Sequence, residues 1–61
     1  MWASAHANIE DSIDPSLPRP DATVIESAAM LYVMAIHESD PVKKQGMRYS
    51  ACEMVRLYQR R

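Results

Sequence analysis

The sequence predicts an all-α fold: a helical hairpin preceded by an N-terminal arm or short helix, with two copies dimerising into a four-helix bundle. Three observations predict this fold. Four prolines divide the 61 residues into segments. Residues 28–36 are nine consecutive apolar residues, a helix without a polar face that needs neighbours on several sides. The single cysteine excludes an internal disulfide, so a chain this small needs another source of stability, such as oligomerisation.

Prolines define the first part of the chain. Pro15, Pro18 and Pro20 lie within six residues, a spacing that neither a helix nor an inner strand tolerates. We therefore assign residues 1–20 to an arm with an extended connector and residues 21–61 to the hairpin. Within the arm, apolar or aromatic side chains recur at the i, i+4, i+7, i+11 spacing of an amphipathic helix. They are Trp2, His6, Ile9 and Ile13. An isolated helix of this length is marginal, so the arm either docks or frays.

The first helix of the hairpin should begin near residue 22. Thr23 with Glu26 three residues later forms a capping-box pattern, and Asp21 is an alternative N-cap. The helix should end at residues 37–39, because the residue before Pro41 is pushed out of the α region.

The second helix should begin at once, with Asp40 as N-cap and Pro41 at the first helical position. Its apolar stripe has the spacing of a helix packed on one side. The stripe consists of Met47, Ala51, Met54 and Tyr58. Gly46 interrupts the pattern. It indicates either a close approach of the first helix or a regular helix that starts only after it.

The apolar first helix has more apolar surface than the second helix can cover. A symmetric dimer of hairpins would place the first helix inside a four-helix bundle. The sequence therefore predicts a homodimer. We expect its core to contain Leu31, Tyr32, Met34, Ile36, Met54 and Tyr58.

The charges are unevenly distributed, although the whole chain carries only −1. Residues 1–40 hold seven acidic side chains and one basic, a net of −6, whereas residues 41–61 hold six basic and one acidic, a net of +5. This split favours association between copies. It also allows an alternative function, a nucleic-acid-binding dimer whose basic C-terminal helix contacts phosphates. The contacts would come from Lys43, Lys44, Arg48, Arg56 and Arg60.

Catalytic chemistry is not indicated. One glycine excludes a glycine-rich phosphate loop, and the His37-Glu38 pair is more typical of a helix C-terminus than of a ligand set. Cys52 is best explained as a small apolar residue. We expect no enzyme activity, no cofactor, no metal and no small-molecule substrate.

The preferred function is a small protein-interaction module, an adaptor, inhibitor or regulatory subunit. Its partners would be a second copy and another protein. The arm would supply the anchors of a helix-in-groove contact, Trp2, Ile9 and Ile13. The apolar segment is too short to cross a bilayer and no signal sequence opens the chain, so we expect a cytoplasmic protein without a membrane partner.

Overall fold

A computed structural model describes all 61 residues, which form three α-helices and no strand. The helices are α1 (Trp2–Asp11), α2 (Ala22–His37) and α3 (Pro41–Gln59). The predicted all-α class is confirmed. The first helix of the hairpin begins and ends, and the second begins, where the prolines and capping residues predict.

The arm forms the helix α1 rather than a frayed segment. Its buried residues are Ala5 and Ile9, one turn apart on the same face. A tight turn at Asp14 follows, in which the Asp14 carboxylate accepts hydrogen bonds from the N–H and the hydroxyl of Ser16, at 2.9 and 2.7 Å. Farther along the connector, Arg19 forms an ion pair with Glu10. The connector is therefore tied back to the C-terminal end of α1.

Asp21, and not Thr23, occupies the N-cap position of α2. Its backbone is extended, but its side chain makes no capping hydrogen bond. The carboxylate instead accepts a hydrogen bond of 3.1 Å from the Tyr58 hydroxyl. The residue at the helix start thus joins the two ends of the hairpin, because Tyr58 lies near the end of α3.

Asp40 caps α3 as the sequence predicts. Its carboxylate accepts a hydrogen bond of 2.9 Å from the Val42 N–H, and Pro41 stands at the first helical position. The helix then runs through Gly46 without interruption. A Cβ atom at this position would meet nothing within 4 Å. Neither explanation offered for Gly46 holds, because the glycine marks no close approach and no helix start.

Helix α2 is the centre of the fold. It packs against both α1 and α3, whereas α1 and α3 scarcely touch each other. The core between the helices consists mainly of small side chains. Five of its nine buried apolar residues are alanines: Ala5, Ala28, Ala29, Ala35 and Ala51. Small side chains let helix backbones approach closely, but they remove little apolar surface from water.

A single polar side chain connects α3 to the connector. Gln59 is only 8% exposed. Its Oε1 accepts a hydrogen bond of 2.9 Å from the Asp14 N–H, while its Nε2 donates to the carbonyls of Asp14 and Pro18, both at 3.1 Å. Backbone groups that the prolines leave without helical partners are satisfied in this way. Gln59 therefore fixes the path of the connector.

None of the three helices combines the length and the apolar character that a membrane-spanning helix requires.

Gly46→Ala should stabilise the fold. Alanine is more favourable than glycine inside a helix by about 0.5–1 kcal/mol, and the added methyl group enters open space. Thermal unfolding followed by circular dichroism should show Tm raised by a few degrees. Lys43→Ala, an exposed change between two good helix formers, serves as the control with little effect. A lower Tm for Gly46→Ala would contradict a continuous α3.

Gln59→Ala should destabilise the fold by about 1–3 kcal/mol, because it leaves the Asp14 N–H and the Pro18 carbonyl without this partner, while the Asp14 carbonyl keeps its hydrogen bond from the Leu17 N–H. Urea unfolding should show this as a lower midpoint. Arg60→Ala, the neighbouring exposed residue, should change the free energy of unfolding by no more than about 0.5 kcal/mol. Equal midpoints for the two variants would show that the connector is not held by Gln59.

Candidate interaction surfaces

The three predicted partner anchors of the arm occupy different environments. Ile9 is fully buried in the core, and Ile13 is partly buried against it. Trp2 remains 47% exposed, with its ring tilted against that of His6 at a centroid distance of 6.2 Å. The structure thus uses Ile9 to dock α1 on α2, and of the three anchors it presents mainly Trp2 to solvent.

The six residues of the predicted dimer core also differ in their exposure to solvent. Tyr32 is only 7% exposed within the single chain, and Leu31 and Ile36 pack partly against the same core. Met34 is 58% exposed. Met54 and Tyr58 are each 37% exposed. The single chain therefore covers Tyr32 by itself, leaves Met34 largely in solvent, and covers Met54 and Tyr58 in part.

Large apolar side chains gather on one flank of the hairpin. Helical spacing places Met47, Met54 and Leu57 together on α3, on the flank opposite the one that carries Cys52 and Arg56. Leu31 and Met34 of α2 lie beside them. We call this set the hairpin face: Leu31, Met34, Met47, Met54 and Leu57. Met34 and Leu57 are more than half exposed, and the other three are partly covered.

A wide groove lies on the other flank, between α1 and α3. Its volume is about 990 Å³. One wall consists of Asn8 and Asp11 of α1 with Ser12, which follows the helix, and the other wall consists of residues between 41 and 56 of α3. Tyr32 of α2 forms the floor. The groove exists because α1 and α3 both pack on α2 without closing on each other.

The α3 wall of the groove combines apolar and cationic groups. The Arg48 guanidinium lies over the Tyr32 ring, 5.8 Å from its centroid, and forms no salt bridge. Arg56 approaches only Glu53, at 4.0 Å, and its side chain is 50% exposed. Tyr49, between the two arginines, is 67% exposed. Both cations are therefore available to an anionic group from outside.

The five basic residues proposed for nucleic-acid contact do not form one stripe. At 100° per residue, Lys43 points about 140° away from both Arg48 and Arg56 around the axis of α3. Lys44 is partly buried, and Arg60 follows the end of the helix. Phosphates along one nucleic-acid backbone would need these charges on a shared side. The arrangement favours two separated cations in the groove over a continuous basic surface.

Charged groups at the C-terminal end of α1 are held by specific hydrogen bonds. The Arg19 guanidinium donates to the Glu10 carboxylate. This bond lowers the pKa of Glu10 and raises the pKa of Arg19. The hydrogen bonds from Ser16 lower the pKa of Asp14. These contacts hold the wall of the groove that α1 provides.

No group of three or more His, Cys, Asp and Glu side chains is arranged to hold a metal ion. His37 is exposed at the end of α2, and Cys52 lines the groove without a disulfide. Sequence reasoning missed the groove and Gln59. The spacing of Arg48 and Arg56, two helical turns apart, was the available signal for the groove. The sequence contains no comparable signal for the role of Gln59, because its hydrogen-bond partners lie 41 and 45 residues away.

Comparisons of this chain with protein-family models, with curated proteins and with solved structures give no match. Its function is therefore inferred from its own residues and surfaces.

Glu10→Gln should destabilise the fold at neutral pH and have no effect in acid. A lowered pKa means that the Glu10–Arg19 pair stabilises the folded chain fully above the ordinary carboxyl range. That contribution is lost as the pH falls through the lowered pKa. Thermal unfolding of wild type and Glu10→Gln should thus differ at pH 7 and converge near pH ~2.

The control is the same substitution in an Arg19→Ala background, where it should change Tm at neither pH. A difference between wild type and Glu10→Gln that persists unchanged in acid would show that the ion pair does not hold the connector to α1.

Proposed function

We propose that this chain is a small non-enzymatic protein-interaction module that self-associates through the hairpin face and binds another protein on the side of α1. It would act as an adaptor, inhibitor or regulatory subunit. One observation carries the proposal: the core is filled mainly by alanines, while large apolar side chains lie outside it. Exposed apolar clusters of this kind are typical of interaction sites.

Self-association is supported by surface area and by charge. A specific interface removes about 800 Å² from each partner, which is roughly one fifth of the 4182 Å² that this chain exposes. The hairpin face offers five apolar residues for its centre. The acidic first part of one copy can also face the basic α3 of another, because the two parts carry −6 and +5. Two hairpins packed on this face form a four-helix bundle.

The side of α1 is proposed for a different partner. Trp2 is the aromatic anchor that α1 presents, and aromatic side chains dominate the binding energy of many interfaces. Ile9 supports it indirectly, since it holds α1 against α2. Trp2→Ala should weaken capture of that partner, and unchanged binding would remove Trp2 from the proposal.

Nucleic-acid binding remains the weaker candidate. The pI of about 6.0 lies well below that of a typical basic binding domain. The basic side chains of α3 are also distributed around the helix, and Glu53 lies among them. No retardation of duplex DNA or structured RNA in a low-salt gel shift would remove this candidate.

Met54→Glu should disrupt the proposed dimer. A carboxylate at the centre of an apolar interface has no partner, so the dimer dissociation constant should rise on the order of 100-fold. Sedimentation equilibrium of wild type and variant measures this change. Folding is little affected because Met54 is already partly exposed in the single chain, and circular dichroism verifies that.

The matched control is Ala7→Glu, which adds the same charge at an exposed position of α1. It should leave the association constant unchanged. A wild-type chain that sediments as a stable, cooperatively melting monomer at micromolar concentration would overturn self-association.

A further inference from the structure

We propose that the groove between α1 and α3 binds an acidic amphipathic helix of a partner protein. This inference goes beyond the proposed function, because the groove is a separate surface that Trp2 does not line. Three properties of the groove carry it: its shape, its apolar lining, and the placement of two arginines, of which Arg48 has no salt bridge and Arg56 only a 4.0 Å contact with Glu53.

The shape fits a helix. The α3 wall runs from Pro41 to Arg56, about 22 Å at 1.5 Å per residue. A helix of about 14 residues has this length. Helices α1 and α3 both pack on α2 and touch each other only slightly, so the space between them is open to solvent along α3, with residues 8–12 as its second wall. A helix placed there completes a four-helix arrangement within one chain and its ligand.

The lining supplies an apolar strip along the groove. Tyr32 forms the floor, and Val42 and Tyr49 stand on the α3 wall, 79% and 67% exposed. Cys52 adds a small, partly buried surface beside them. An amphipathic helix presents apolar side chains at i, i+3, i+4 and i+7 to such a strip. The aromatic rings are rigid anchors of the kind that dominate interface energies.

The cations define the charge of the ligand. Arg48 and Arg56 are eight residues apart, so their positions on α3 are separated by about 12 Å. Carboxylates two turns apart on a bound helix have the same separation. Arginine pairs well with carboxylates because its planar group can donate two parallel hydrogen bonds. Asp11 on the opposite wall adds a single acceptor, which a polar or basic residue on the other side of the ligand would satisfy.

A second copy of this chain does not fit these requirements. Helix α1 carries its acids only at the adjacent positions Glu10 and Asp11, and α2 and α3 contain one acid each, Glu26 and Glu53. None has carboxylates two turns apart. The occupant is therefore a segment of another protein. A nucleic acid is also disfavoured, since Asp11 faces the two arginines across the groove.

A displayed peptide library tests the proposal on the full chain. Fourteen-residue helices carry leucine at fixed i, i+3, i+4, i+7 positions, with the other positions drawn from Glu, Lys, Gln and Ala. We expect the enriched peptides to be acidic, with Glu two turns apart. Enrichment of basic or neutral peptides, or no enrichment, would overturn the proposal.

Charge reversal then locates the site. Arg48→Glu/Arg56→Glu should weaken binding of an enriched peptide at least tenfold, as measured by fluorescence anisotropy. Lys43→Glu/Arg61→Glu changes the net charge equally, outside the groove, and should weaken it less than threefold. Equal losses would mean diffuse attraction and would overturn the site. Binding of duplex DNA or RNA that is lost in Arg48→Glu/Arg56→Glu, with no acidic peptide enriched, would overturn the helical ligand in favour of a nucleic acid.

Sedimentation of the same variants separates the two proposals. The groove variant should keep the association constant of the wild type, because neither arginine belongs to the hairpin face. A dimer that selects no acidic helix contradicts the groove alone. A monomer that selects acidic helices contradicts self-association alone.

Discussion

The close contact of three helices through alanine is the constraint on which the rest of the structure depends. Ala28 and Ala29 of α2, together with Ala5 of α1 and Ala51 of α3, are completely buried. Their small side chains bring α1 and α3 near to one helix, but they cannot supply the burial that leucine or phenylalanine would. Ile9 and Val55 are the largest fully buried side chains. The helices therefore pack closely together, but the core between them is small.

Polar contacts at one end compensate for this small core. Gln59 binds the connector, Tyr58 binds the start of α2, and Arg19 binds the end of α1. The contacts of Gln59 and Tyr58 join segments 37 to 45 residues apart, the contact of Arg19 spans nine residues, and none depends on apolar area. No buried side-chain nitrogen or oxygen is left without a partner. The alanines permit the helices to pack closely, and hydrogen bonding specifies how they are arranged. The surfaces proposed for binding lie outside these contacts.

Much of the helical layout could be predicted from local signals. Prolines and caps gave both limits of α2 and the start of α3, since a proline restricts the backbone wherever it occurs. The interior could not be predicted in the same way. Residues 28–36 are apolar all round, so their periodicity does not distinguish Tyr32, which is buried, from Met34, which is exposed.

The packing of α1 against the hairpin could likewise not be predicted from local sequence patterns. Its apolar stripe predicts a helix, but the same stripe suits a partner's groove and the chain's own core equally well. The structure places Ile9 in that core. The groove depends on this placement, because its second wall exists only when α1 is docked. Residues that form the site are thus brought together by tertiary contacts. Of the whole site, only the spacing of Arg48 and Arg56 could be recognised from the sequence.

The polar ties of α1 all lie toward its C-terminal end, where Glu10 meets Arg19 and the connector meets Gln59. Its first turn has no hydrogen bond to another element. The first part of the helix is held by apolar packing instead, since Ala5 is completely buried. Asn8, Asp11 and Ser12, which line the groove, all lie toward the tied end, so this wall is ordered before any ligand arrives. A wall ordered in advance lowers the conformational entropy that is lost on binding.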